Sequence, residues 1–173
     1  MELPSMVSTT RAGIFMIQRQ NALLREMDMS LQLLVGTAVS ICCITIHSVL
    51  MTTVVSVSRS TSTLNTPHPA LLLTCVMIVT VLVLMIAHLC EVFVWALAYK
   101  VVNASPAGSD IVYFAFVNYT TLGYGDITPT DDWKLLGPMT AMNGVLLFGW
   151  STAVIFQVLI RTLVITGRTM DSE

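Results

Sequence analysis

The sequence predicts an all-α membrane protein, and three observations carry that prediction. Of its 173 residues 55% are hydrophobic and only 10% are charged, and the mean hydropathy is +0.80, well outside the balance of a soluble domain. Three apolar runs, at residues 31–57, 70–99 and 135–160, are each long enough to cross a bilayer as a helix. Ser, Thr, Asn and Pro crowd the stretch between the first two runs, where a helix is expected to break.

Residues 11–30 read as a moderately amphipathic segment that offers Arg11, Arg19 and Arg25 to lipid headgroups, or as a polar extension of the first span. Residues 1–30 are accordingly set apart from the first span. That span, 31–57, holds no Asp, Glu, Lys or Arg and as a helix would reach ~40 Å, enough to cross with tilt. Residues 58–69 are expected to be a wet connector containing His68. The second span closes with Trp95, Tyr99 and Lys100, the aromatic and cationic residues that favour a membrane interface. After a loop over 101–109, the run IVYFAFVNYT is apolar but too short to cross. It reads as a half-length helix capped by Ser109 or Asp110, followed by an irregular TLGYGD. Irregular backbone at membrane depth is tolerated only where protein buries it or where it lines a watery path, which implies a re-entrant loop. Trp133 and Lys134 precede the last span, Arg161 ends it, and a short tail follows.

Several function classes are disfavoured. The net charge is −2 and the eight Lys and Arg are scattered, so no basic surface for nucleic acid is expected. The four cysteines, Cys42, Cys43, Cys75 and Cys90, lie in apolar runs without metal-ligand spacing and read as reduced, buried hydrophobes. No Ser/His/Asp arrangement, zincin helix or phosphate-cradling loop is present, so no enzyme is expected. The first apolar run is too long for a cleaved signal, and no organic cofactor is implied.

Function is carried by the segment Thr121, Leu122, Gly123, Tyr124 and Gly125. Glycine accepts backbone angles closed to other residues, so alternate peptides can turn their carbonyls to one side. Four copies around an axis would stack those oxygens into rings that replace the water shell of a cation, with the Thr121 hydroxyl adding a ring at the inner end. One chain supplies one strand, so a homotetramer is required. TTLGYGD followed by ITP resembles the filter of potassium channels, with Leu122 where that family usually has Val or Ile.

The resemblance implies a two-helix pore module over 70–165: outer helix 70–100, re-entrant pore helix 109–120, filter 121–126 and inner helix 134–161. One extra N-terminal transmembrane helix (31–57) and a cytoplasmic tail (166–173) complete the expected fold. K+ would be the permeant ligand, held at Thr121, Leu122, Gly123 and Tyr124. Tyr113 and Phe114 fall where the family's pore helix carries paired aromatics that hold the filter, with Tyr113 expected to donate to Asp126; Thr120 also belongs to this support. Gly144 and Gly149 match inner-helix glycines that bend or pack closely, and Phe148 and Thr152 are candidates to line the cavity or to face a neighbouring helix. HLCEVFVWALAY and LLFGWSTA further resemble a bacterial group of small ion-channel proteins, which implies a multi-pass cell-membrane protein, in the bacterial inner membrane, with a cytoplasmic C-terminus. The three N-terminal arginines would then lie outside, against the positive-inside tendency.

Between Lys100 and Lys134 four aspartates (Asp110, Asp126, Asp131, Asp132) outnumber those two lysines, an acidic mouth that would concentrate cations. His88 and Glu91, three residues apart, share a face of the second span, where ionisable groups are expensive; they read as a proton-sensitive latch or as a fixed anchoring pair. His47 reads as a lone, neutral packed residue. Voltage sensing is disfavoured, because no span carries arginines at every third position, and no soluble regulatory domain is expected in the chain. Its expected partners are other copies of itself and the lipid bilayer. A passive, potassium-selective channel subunit is the expected function; the alternatives are a nonselective or sodium-permeable channel and a non-conducting modulatory subunit.

Overall fold

A computed structural model describes residues 4–61 and 68–170, with side chains described for 28–56 and 70–164 as well as for Arg19 and His68. Four α-helices form: α1 (Pro4–Thr61), α2 (Pro69–Val102), α3 (Ile111–Tyr119) and α4 (Leu136–Met170). A single 3-10 turn, Asp131–Trp133, leads into α4. Among the described residues three stretches are long and apolar enough to cross a membrane: Asp28–Ser56 in α1, Ala70–Val102 in α2, and Asp131–Val164, which takes in α4 as far as Val164. The nine residues of α3 rise only ~14 Å, less than half of a hydrocarbon core.

Local chemistry explains where these helices begin and end. Pro69 opens α2 at a position where a missing N–H costs nothing. Asn103 closes it in the left-handed conformation (φ 55°, ψ 42°), its N–H turned back to the carbonyls of Lys100 and Tyr99. Of the two residues offered by the sequence as the cap of α3, the structure uses Asp110, whose Oδ1 accepts from the N–H groups of Val112 at 3.0 Å and Tyr113 at 3.1 Å. The hydroxyl of Ser109 instead donates to the Pro106 carbonyl.

Several expected boundaries shift. α1 runs unbroken through residue 30, as a polar extension of the first span would, and on to Thr61, so the connector expected from 58 does not begin there. No proline or glycine lies between Thr37 and Thr61, and Ser, Arg and Thr are helix-compatible enough to continue a helix already nucleated. Residues 62–67 and 171–173 lie outside the described residues, as do most side chains of the expected amphipathic segment 11–30. The short helix spans 111–119 rather than 109–120, and α4 starts at 136 and continues to 170, into the expected tail.

The helices pack as two apolar clusters with a polar layer between them. One cluster joins Cys43 of α1, Val92, Trp95 and Tyr99 of α2, Phe114 and Tyr119 of α3, and Leu147 of α4. The other joins Met51 and Val54 of α1, Leu84 of α2, and Val154 and Val158 of α4. Within the first cluster, hydrogen bonds fix the register. Trp95 Nε1 donates to Asn143 Oδ1 at 3.1 Å, the Tyr99 hydroxyl bonds to Thr140 Oγ1, and the Leu135 N–H donates to Gln32 Oε1 at 2.9 Å. Trp95 and Tyr99 are fully buried within the chain, and each has a partner for its polar atom.

Gly144 sets the closest approach. A Cβ there would overlap the carbonyl oxygen of Tyr119, so α4 touches the end of α3 only because this residue has no side chain. Gly149 meets nothing within 4 Å of an added Cβ, and α4 is continuous through both glycines. Two variants test this packing by thermal unfolding in detergent. Trp95→Phe leaves Asn143 Oδ1 without its donor and should cost ~1–3 kcal/mol, and Gly144→Val should cost at least as much by overpacking. Gly149→Ala should be nearly silent.

Candidate functional site

The segment after α3 turns back on the helix that precedes it. The N–H groups of Thr121 and Leu122 donate at 3.0 Å to the carbonyls of Asn118 and Val117, and the Gly123 N–H reaches the Val117 carbonyl at 3.4 Å. A trans peptide points its C=O opposite to its N–H. The carbonyls of Thr120, Thr121 and Leu122 therefore face away from α3, and residues 120–126 are all exposed in the single chain. Thr121, Gly123 and Gly125 have φ of 61°, 56° and 77°. Every second residue is thus left-handed, which two glycines allow freely and Thr121 adopts under strain.

The residues expected to support this segment separate onto two faces of α3. The Tyr113 hydroxyl donates to Asp126 Oδ2 at 2.8 Å, tying the segment's far end to the first turn of the helix. Phe114 turns the other way, 1% exposed, with its ring 4.8 Å from that of Tyr99. It packs within its own chain and not beside residues 121–125. Thr120 Oγ1 donates to the Phe116 carbonyl at 2.7 Å and so closes the helix end.

Behind the same helix end lies a buried polar network in which every helix takes part. Glu91 of α2 is fully buried. Its Oε1 accepts from His47 Nδ1 of α1 at 2.7 Å; its Oε2 meets His88 Nδ1 at 3.0 Å and the hydroxyl of Tyr119, the last residue of α3. His88 Nδ1 is also 2.9 Å from the Tyr119 oxygen. On the far side of both imidazoles, Ser151 Oγ of α4 lies 2.9 Å from His88 Nε2 and 3.3 Å from His47 Nε2. His88 and Glu91 thus meet as their spacing predicts. His47, read from the sequence as a lone packed residue, is instead Glu91's closest imidazole, and Tyr119 and Ser151 were not singled out at all. One signal for His47 was present, since a histidine in a span free of charge needs a polar partner.

Of the two candidate cavity residues, Phe148 is 38% exposed and packs its ring 4.5 Å from His88 and 5.4 Å from Tyr119. Thr152 is exposed, its hydroxyl donating to the Phe148 carbonyl. Of the four aspartates near the segment, Asp110 caps α3 and Asp131 pairs with Lys134 at 2.8 Å on the surface.

Comparison with known proteins bears on this part of the chain. No curated protein and no solved structure matches it. The model of a family described as "Ion channel" matches residues 87–161, which take in the second half of α2, all of α3, the segment 121–126 and most of α4. α1 lies outside the match. The match supports passive ion conduction and no enzymatic activity. Residues 87–161 are thus similar to an ion-channel domain, and the described residues hold three stretches long and apolar enough for a multi-pass membrane protein.

Proposed function

We propose that the chain is one of four identical subunits of a potassium-selective channel, with α3 as a re-entrant pore helix and Thr121–Gly125 as one strand of its filter. The observation that carries this reading is the backbone of that strand. Left-handed residues alternate at 121, 123 and 125, and the N–H groups of 121–123 are taken up by α3, so that successive carbonyls are left to face outward together. Among the described residues no backbone N–H donates to those oxygens. A fourfold ring would set them around an axis at the spacing that replaces an ion's water.

Three further features support the reading. The segment and Phe148 are exposed in the isolated chain, as surfaces facing an axis or a neighbouring subunit must be. The C-terminal end of α3, at Tyr119, would aim the negative end of its dipole at a cation in mid-membrane. The Tyr113–Asp126 bond braces the outer end of the strand. Leu122, where the resembled filter has Val or Ile, changes a side chain and not a peptide carbonyl, and it is the carbonyls on which potassium preference would rest.

Purified chain in liposomes should carry potassium flux that barium blocks. Gly123→Ala places a Cβ on a residue at φ 56° and should abolish the flux at a stability cost of no more than about 1–2 kcal/mol of backbone strain, since the added Cβ meets only the Thr121 carbonyl, 3.9 Å away. Tyr113→Phe, which removes the bond to Asp126, should lower it several-fold. A flux that is equal for wild type and Gly123→Ala would contradict the filter assignment. A barium-insensitive flux that carries sodium equally would favour a nonselective channel, and the absence of flux under every condition a modulatory role.

A further inference from the structure

The polar network behind the filter strand has a definite proton count. The titratable groups that face it are His47 and Cys43 from α1, His88 and Glu91 from α2, and Tyr119 from α3; α4 contributes the neutral hydroxyl of Ser151. The Tyr119 hydroxyl and the Nδ1–H groups of His47 and His88 converge on the two oxygens of Glu91, which suits an ionised carboxylate. Both rings then present an Nε2 to the same oxygen, Ser151 Oγ. With Glu91 ionised and two neutral imidazoles that both donate from Nδ1, both Nε2 atoms would be acceptors, and one hydroxyl proton can satisfy only one of them; were His88 Nδ1 instead to accept from the Tyr119 hydroxyl, 2.9 Å away, the ionised Glu91 Oε2 would lose both of its donors. One added proton completes the ring of bonds: one Nε2–H donates to Ser151 Oγ, and the Ser151 hydroxyl donates to the other Nε2. The same proton cancels the charge of Glu91, which at 0% exposure would be costly alone.

Together His47, His88 and Glu91 also form a potential metal-ligand cluster. The geometry disfavours it, because the 2.7 Å between His47 Nδ1 and Glu91 Oε1 is a hydrogen-bond distance, shorter than the ~3.3 Å between two ligands on a tetrahedral zinc.

We propose that the two imidazoles share one proton beyond their neutral complement, forming a buried imidazolium–carboxylate pair with Glu91, and that this pair holds the inner end of the filter in its conducting position through Tyr119. The regulatory half of this proposal rests on the channel reading above. His47, His88 and Glu91 act as positioning residues: Tyr119 immediately precedes Thr120 and Thr121, and its carbonyl abuts Gly144. Loss of the proton leaves a buried net negative charge and one ring nitrogen without a donor, and the cluster relaxes by admitting water between Glu91 and Tyr119. α1, which the family match does not cover, thereby supplies half of the imidazole pair.

The test uses the full chain carrying His68→Gln, which leaves two of its three histidines, labelled with nitrogen-15 at the imidazoles and reconstituted in potassium-containing bilayers. At neutral pH the spectrum should show one doubly protonated and one neutral ring, and the imidazolium signal should vanish on raising the pH. Potassium flux from the same preparation should fall about fivefold or more over the same interval, the scale of an ordinary coupling between sites. Tyr119→Phe should keep the imidazolium but uncouple flux from pH. If that variant does not assemble, Ser151→Ala should remove the imidazolium signal at neutral pH. Two neutral rings at neutral pH, an imidazolium that survives Ser151→Ala, or a flux that follows pH alike in wild type and Tyr119→Phe would overturn the proposal. No flux at any pH would overturn the channel reading and the regulatory half with it, while the nitrogen spectrum still decides the proton count.

Discussion

Tyr119 is the point on which the arrangement depends. Its carbonyl rests against Gly144 of α4, in space that any side chain there would fill, and its hydroxyl donates to the buried carboxylate of Glu91. α3 is only nine residues long and has little helical stability of its own, so its place is set by what it touches. In its middle Phe114 packs on Tyr99, and at its C-terminal end Tyr119 meets Glu91 and Gly144. The segment 121–126 inherits its position from this second anchor.

A lipid environment makes the anchor worth its cost. Apolar side chains gain little by packing on one another when the alternative is a lipid tail, so close approach and hydrogen bonds carry much of the specificity between helices. The chain uses both. Gly144 provides the close approach, and Glu91, His47, His88 and Ser151 provide a polar layer between two apolar clusters, each flanked one helical turn away by members of those clusters such as Cys43, Met51, Leu84, Val92, Leu147 and Val154. Because the layer includes a residue from every helix, a shift of any helix breaks one of its bonds. Removing one partner of such a buried pair typically costs several kcal/mol, which fixes the register of α1 against α2 more firmly than the apolar contacts can.

Much of this was legible in the sequence, for reasons that differ by residue. Long charge-free runs declare spanning helices because the bilayer demands them, and a ten-residue apolar run ending in TTLGYGD declares a helix that cannot cross. The meeting of His88 with Glu91 followed from helical periodicity alone. What connects helices distant in sequence was not legible: 44 residues separate His47 from Glu91, and nothing in a one-dimensional pattern says which face of α1 meets α2. Tyr119 and Ser151 look like ordinary helix residues until the packing is known. That Phe114 packs on Tyr99 was equally invisible, since consecutive helical residues point about 100° apart and the sequence does not say which neighbour each one meets. α1 continues to Thr61, into the expected connector, because Ser and Thr only weakly oppose an established helix and the prolines, Pro67 and Pro69, lie further on.

The two glycines of α4 show the same limit. They are five residues apart and equivalent in composition, but Gly144 faces α3 and Gly149 faces open space in the single chain; only the three-dimensional neighbourhood tells a packing glycine from one that awaits another role.

The central claim, that Thr121–Gly125 passes potassium in preference to sodium, is tested most directly by the reversal potential of the purified, reconstituted chain with potassium on one side and sodium on the other. The account predicts a reversal potential displaced far toward the potassium equilibrium value. A value near zero, with current carried equally by both ions, would contradict it.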